Sequence, residues 1–241
     1  MDLYSGCSTL LQSSDRGGNG SEEIIRSLAA GTYAVKLTGS GDDATPPYVL
    51  RERALPATVH ILSSRTRIES GTLRLIGELY NNTTKTVGST KVTAKLYNAS
   101  NMLLATRTAY ADLSYMVPNS KAPFRIVGPL PAGYHHAVYT ISTTPTTRLV
   151  GAPSVTATTN GQNGSGQYVV AGTAKNPYSK SVTTLWVAVS LYDGRASILD
   201  AARAKVGTTT LGALQSTTFS ATFVPLGLTP DKTYIRGMVF R

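Results

Sequence analysis

The 241-residue sequence predicts an all-β chain: tandem immunoglobulin-like antiparallel β-sandwiches, with a partial N-terminal β-sandwich in front of them. Three observations carry that expectation. Thr and Ser fill 56 positions while charged residues make up only 15%, and Thr suits the outer face of a pleated strand. Apolar residues recur with period two, as in strands that bury one face and wet the other. The third is that most of the chain matches itself at an offset of 95 residues. A hydrophobic fraction of 41% is enough for packed cores and excludes a disordered tail.

The first element, residues 1–52, stands outside the repeat. Leu10-Leu11, Ile24-Ile25 and Leu28 to Val35 read as strands separated by Ser14-Asp15 and Gly17-Gly18, and Tyr48-Val49-Leu50 as a last short one. About fifty residues bury too little apolar surface to be stable alone, so a truncated module is expected.

The repeat then supplies residues 57–150 and residues 151–241. Gly77 falls on Gly172, Asn81 on Asn176, Val92 on Val187, Leu96 on Leu191, Tyr97 on Tyr192, Phe124 on Phe219 and Tyr139 on Tyr234. A period this long is a duplicated domain and not a solenoid unit. Val92, Ala94 and Leu96 alternate with Thr93, Lys95 and Tyr97; Leu185, Val187, Val189 and Leu191 alternate with Trp186, Ala188, Ser190 and Tyr192. Asn81 to Lys85 and Asn176 to Lys180 read as turns, and Pro177 bars a central strand there. Asp200 to Lys205 has helical propensity. Its counterpart Ala105 to Tyr110 is strand-like, and duplicated domains share a fold, so both are expected as strands.

These copies resemble the FxLYD family. The run stands here as Ala94-Lys95-Leu96-Tyr97-Asn98 and Val189-Ser190-Leu191-Tyr192-Asp193, with Gly77 to Asn81 and Gly172 to Asn176 before it and Phe124 and Phe219 after it. Residues 1–52 resemble the second half of the bacterial pre-peptidase C-terminal domain, through Asp2-Leu3-Tyr4, Ser14-Asp15, Ala30 to Tyr33 and Tyr48-Val49-Leu50. The resemblances imply bacterial secreted or envelope proteins, sandwich folds and no assigned chemistry for the FxLYD copies.

Net charge is +10, distributed as −2, +7 and +5 over residues 1–56, 57–150 and 151–241. Such a charge attracts polyanions without naming one. The single Cys7 excludes an intrachain disulfide, and no apolar run reaches the length of a membrane-spanning helix. Met1 opens into Asp2-Leu3-Tyr4 without the regions of a signal peptide, which is therefore expected upstream in a parent protein that is extracellular or in the cell envelope.

No catalytic residue, cofactor site or metal site is expected. No nucleophile elbow, zincin motif or phosphate loop occurs. His135 and His136 are adjacent, so strand alternation should point them to opposite faces. Asp15, Asn19, Asp42 and Asp43 offer calcium-type oxygens at no recognised spacing and read as solvated turn residues. The candidate ligand face is the outer surface of the sheets: Lys91, Lys95 and Tyr97 in the first copy, with Arg74 and Arg107 as candidates to join them, and Trp186 and Tyr192 on the corresponding face of the second. Basic groups interleaved with aromatics can stack sugars or bases. The expected function is a non-catalytic accessory or scaffolding region that serves adhesion, targeting or spacing of a catalytic domain. The alternative is a glycan- or polyanion-binding module using that face. A protein or polysaccharide at the cell surface is the expected partner, ahead of nucleic acid.

Overall fold

Strand after strand, the alternation in the sequence becomes an inward and an outward face. The computed structural model describes residues 1–6, 8–14, 24, 28, 31–38, 57–194, 197–224 and 230–240, and no helix occurs among them. The N-terminal residues contribute β1 (Asp2–Ser5), β2 (Thr9–Ser13) and β3 (Tyr33–Lys36), an antiparallel sheet of order β2-β1-β3. Leu3 is its buried apolar residue, while Leu10, Val35 and Leu37 stay exposed. Cys7, the four calcium-type residues and Tyr48 to Leu50 lie outside the described residues.

The first copy comprises β4 (Val59–Glu69), β5 (Thr72–Asn81), β6 (Val87–Tyr97), β7 (Leu103–Tyr110), β8 (Tyr115–Met116), β9 (Lys121–Pro129) and β10 (His136–Pro145). One sheet runs β4-β5-β9 and the other β10-β6-β7, with β8 on β6. Leu73, Leu75, Leu79, Val92, Ala94, Leu96 and Phe124 fill the space between them. The second copy comprises β11 (Val150–Gly151), β12 (Ser154–Gln162), β13 (Tyr168–Lys175), β14 (Thr183–Tyr192), β15 (Ile198–Arg203), β16 (Lys205–Val206), β17 (Ser216–Phe223) and β18 (Lys232–Phe240). Its sheets run β12-β13-β17-β16 and β11-β18-β14-β15. Because Val150 and Gly151 pair with β18, a boundary drawn between residues 150 and 151 divides a strand of the second sandwich.

The duplication extends to the backbone. Gly77 pairs with Phe124 and Gly172 with Phe219. A Cβ at Gly77 would strike the Phe124 ring, and one at Gly172 the Thr156 carbonyl, which explains both glycines. Ser89 and Thr184, 95 residues apart, both take a positive φ (50° and 56°), as do Asn119 and Leu214 (58° each). Asn81 and Asn176 are fully buried, beyond the turn role their sequence context suggests. Asn81 Nδ2 donates to the carbonyls of Lys85 and Met116, and Asn176 Nδ2 to those of Lys180 and Gly212, so each amide ties two loops together. Residues 198 to 203 form β15, so sheet context overrides helical propensity there.

One pairing of the repeat is corrected. Ala94 faces Tyr139 across β6 and β10, but its counterpart Val189 faces Ile235, not Tyr234. One extra residue between β17 and β18 shifts the last strand, and a one-residue shift exchanges the faces. Tyr139 therefore packs on the first core, edge-on to Phe124 at 6.0 Å, and Ile235 fills that role in the second. Tyr234 turns outward to a separate cluster with Ile76, Tyr192, Ile198 and Ala201. That cluster contains residues of both copies: the outer face of β4-β5-β9 is seated on the outer face of β18-β14-β15.

Candidate functional site

Lys91, Lys95 and Tyr97 share the outer face of β6. Residues directly opposite across a sheet lie on one face, so the pairings define a grid of four rows. From end to end these are Ser142-Lys91-Tyr110, Thr140-Thr93-Thr108, Val138-Lys95-Thr106 and His136-Tyr97-Leu103. The face is open to solvent: Lys95, Thr106, Thr108, Val138 and Thr140 are exposed, and Tyr110 is 62% exposed. His136 stacks on Tyr97 with ring centroids 5.4 Å apart and an interplanar angle of 16°. His135 precedes the first residue of β10, so strand alternation does not govern it, and its Nδ1 lies 3.2 Å from Nδ1 of His136. The two imidazoles therefore meet, contrary to expectation. No group of three metal-ligating side chains forms among the described residues.

Arg74 and Arg107 do not join this face. Arg107 pairs with Ala94, on the core-facing side, and its guanidinium donates to the Pro129 carbonyl at the sandwich edge. Arg74 belongs to the other sheet, with Nε 3.4 Å from Glu69.

Trp186 and Tyr192 are also separated from the lysines. They lie on the outer face of β14 with Ala188 and Ser190, and the first copy covers that face: Ala188, Ser190 and Tyr192 are buried. Opposite them, Ile76 and Glu78 point outward from β5 yet are 0% and 2% exposed. The Tyr192 hydroxyl donates to Oε1 of Glu78, whose other oxygen lies 3.1 Å from Lys121 Nζ. Arg67 of β4 donates to Asp200 of β15 at 3.3 Å and also pairs with Glu69; Arg65 and Asp193 stand 3.8 Å apart. Asp200 is 1% exposed, and Oδ1 accepts the Ala201 N–H. Burial raises its carboxyl above the usual range, against that hydrogen bond and the guanidinium groups of Arg125, Arg67 and Arg74.

At the rim, Arg203 Nε donates to the backbone carbonyl of Asp112 at 3.0 Å, and its guanidinium lies over the Trp186 ring, 3.8 Å from the centroid. Asp112 Oδ2 is buried with no hydrogen-bond partner among the described residues. Burial pushes that carboxyl up to about 6, although Arg125 and Arg203 pull it down. Both carboxyls follow one rule: desolvation outweighs nearby positive charge.

Sequence reasoning did not single out Ile76, Glu78, Asp112, Asp200 or Arg203. A signal existed. The outward positions of β6 read Lys91, Thr93 and Lys95, whereas those of β14 read Trp186, Ala188 and Ser190, with no charge among them. Charge depletion on one repeat's face marks the covered copy.

No protein-family model matches the chain, and no curated protein sequence matches it. The chain is similar to the crystal structure of red sea bream transglutaminase at 11% identity, over 78% of this chain and 32% of that one, with a TM-score of 0.22. It thus spans about a third of that protein's length, and a likeness at that score supports no functional argument.

Proposed function

We propose that the chain is a non-catalytic accessory region of an exported bacterial protein, with its two sandwiches acting as one stiff arm. The arm would serve adhesion, substrate targeting or the spacing of a catalytic domain, and the FxLYD-like and pre-peptidase-like readings belong to this proposal. One observation carries it: the copies meet through a face that buries Ile76, Glu78, Ala188, Ser190 and Tyr192, with Arg67 bonded to Asp200 across it. Linked domains reorient freely unless the surface between them is extensive and apolar or fully bonded. Buried charge pairs add orientation more than stability, since a slipped arrangement leaves each charge unpaired. Residual dipolar couplings on the intact chain test this. Both sandwiches should fit a single alignment tensor; two independent tensors would show a flexible tether and overturn the arm.

A second reading is binding of a polysaccharide or other polyanion on the β10-β6-β7 face. It is favoured by the exposure of Lys95 and by the Tyr97–His136 stack. Aromatic and basic side chains on an open sheet suit acidic, ring-bearing chains.

A further inference from the structure

The two sandwiches leave a cavity of about 420 Å³ at the rim of their contact. Its walls come from both copies: Ser89, Tyr110, Ser114 and Tyr115 from the first, Trp186 and Arg203 from the second. We infer that this cleft binds an acidic sugar, with Arg203 receiving the carboxylate. The inference rests on the docked arrangement of the proposed arm, since neither copy forms the cleft alone.

Arg203 is the first reason. Long basic side chains normally sample many rotamers, which weakens their bonds to ligands. Here the guanidinium carbon lies over the Trp186 ring, 3.8 Å from its centroid, and Nε is spent on the Asp112 carbonyl. Its two terminal nitrogens have no hydrogen bond or ion pair among the described residues, although the side chain is exposed. A planar donor pair fixed in orientation and open to water matches a carboxylate with two parallel hydrogen bonds.

The walls are the second reason. Tyr110 lines the cleft and is 62% exposed, so the aromatic face is accessible there. Aromatic rings accept the C–H face of a pyranose, and the hydroxyls of Ser89 and Ser114 can exchange hydrogen bonds with sugar hydroxyls. An aromatic lining with a few convergent polar groups, at a domain junction, is the common form of a ligand site. The chain's net charge of +10 favours arrival of an anion. The site is also particular to this junction. The repeat places Lys91 where Trp186 stands and Thr108 where Arg203 stands, so the first copy has no such pair.

Trp186 is the only tryptophan in the chain, so its fluorescence reports on the cleft directly. Trigalacturonate, and the same trisaccharide with its carboxyls methyl-esterified, would be titrated into the intact protein. The acid should change the emission saturably, and the ester should bind roughly tenfold more weakly, the loss expected for one charge-assisted bond. Arg203→Gln should weaken the acid by about the same factor, and Tyr110→Ala by a few-fold. Lys175→Ala with Lys180→Ala, neither of which lines the cleft, should change the affinity less than about twofold. Equal affinity for acid and ester, no saturable change, or an equal loss with the lysine pair would each overturn the cleft. Dipolar couplings on the same samples separate the two failures. A single alignment tensor without binding defeats the cleft alone, whereas two tensors defeat the arm and the cleft with it.

Discussion

The same sheet face appears twice in this molecule, once wet and once covered. In the first sandwich, the outward residues of β6 are Lys91, Thr93, Lys95 and Tyr97, and solvent reaches them. In the second, Trp186, Ala188, Ser190 and Tyr192 occupy the same pleat positions, and the neighbouring copy buries the last three. The other sheet reverses the pattern: Ile76 and Glu78 are covered, while their counterparts Ala171 and Thr173 retain access to solvent. A duplicated fold therefore does not duplicate its surfaces. Lys95 and Ser190 differ in solvation because the neighbour covers one face and leaves the other open. Burial of a face depends on whether its polar groups can be bonded or kept small.

An exchange of residues between the two faces should have the largest effect. Ser190→Lys installs the first copy's residue where it meets a covered surface. It should destabilise the docked pair by about 3–5 kcal/mol, the usual cost of an unpaired buried charge, and split the single alignment tensor. The reverse change, Lys95→Ser, should alter thermal stability by less than about 0.5 kcal/mol. Similar losses from both would remove the distinction between the faces.

Tyr192 and Tyr97 sharpen the comparison further. Tyr192→Phe takes a donor from the buried Glu78 carboxylate and should cost about 1.5–3 kcal/mol by denaturant unfolding. Tyr97→Phe keeps the ring on His136 and should cost almost nothing. An equal cost would mean that Glu78 finds another donor.

Asp112 gives a pH-dependent form of the same contrast, with the opposite sign. Folding raises its carboxyl to about 6, so the folded state favours the protonated form. Its contribution is fully present below its unfolded value near 4 and is lost as pH rises through about 6. Asp112→Asn keeps the backbone carbonyl that Arg203 uses and removes the charge. The variant should be more stable than the parent by about 1–2 kcal/mol at pH 7.5, discounted for the solvent that still reaches the residue. The gap should close below pH 4. Asp200 shifts in the same direction, so some pH dependence should survive in the variant. A gap that widens in acid would contradict the desolvation account.

The sandwiches were legible in the sequence because period two and the 95-residue offset are local properties that survive any neighbour. The offset even overruled helical propensity at Ile198 to Arg203 correctly. Tyr234 was misread because a one-residue insertion close to the C-terminus leaves few residues to reveal the shift, while it exchanges every face after it. The domain contact was harder. Alternation separates two faces of a strand, but on β5 and β14 both are buried, for different reasons. Arg67 and Asp200 are 133 residues apart, and nothing in their local sequence links them. The residues proposed for a ligand face were thus divided: Lys91, Lys95 and Tyr97 share one surface, and Trp186 and Tyr192 lie at the domain junction.

The smallest effect concerns the wet face itself. Lys91 and Lys95 stand two rows apart on one sheet, whereas Lys175 and Lys180 belong to the end of β13 and the turn after it in the second copy. Removing either pair lowers the net charge by the same amount. A response governed by total charge therefore predicts equal losses on a heparin-like column. Local binding predicts more, because each sulfate neutralised at a defined place releases counterions there and steepens the salt dependence. Lys91→Ala with Lys95→Ala should elute at lower salt than Lys175→Ala with Lys180→Ala, by a modest margin. It should also show the shallower slope of log affinity against log salt, by at most about two charges. Coincident elution would leave the lysines as solubilising groups and the open face without a ligand.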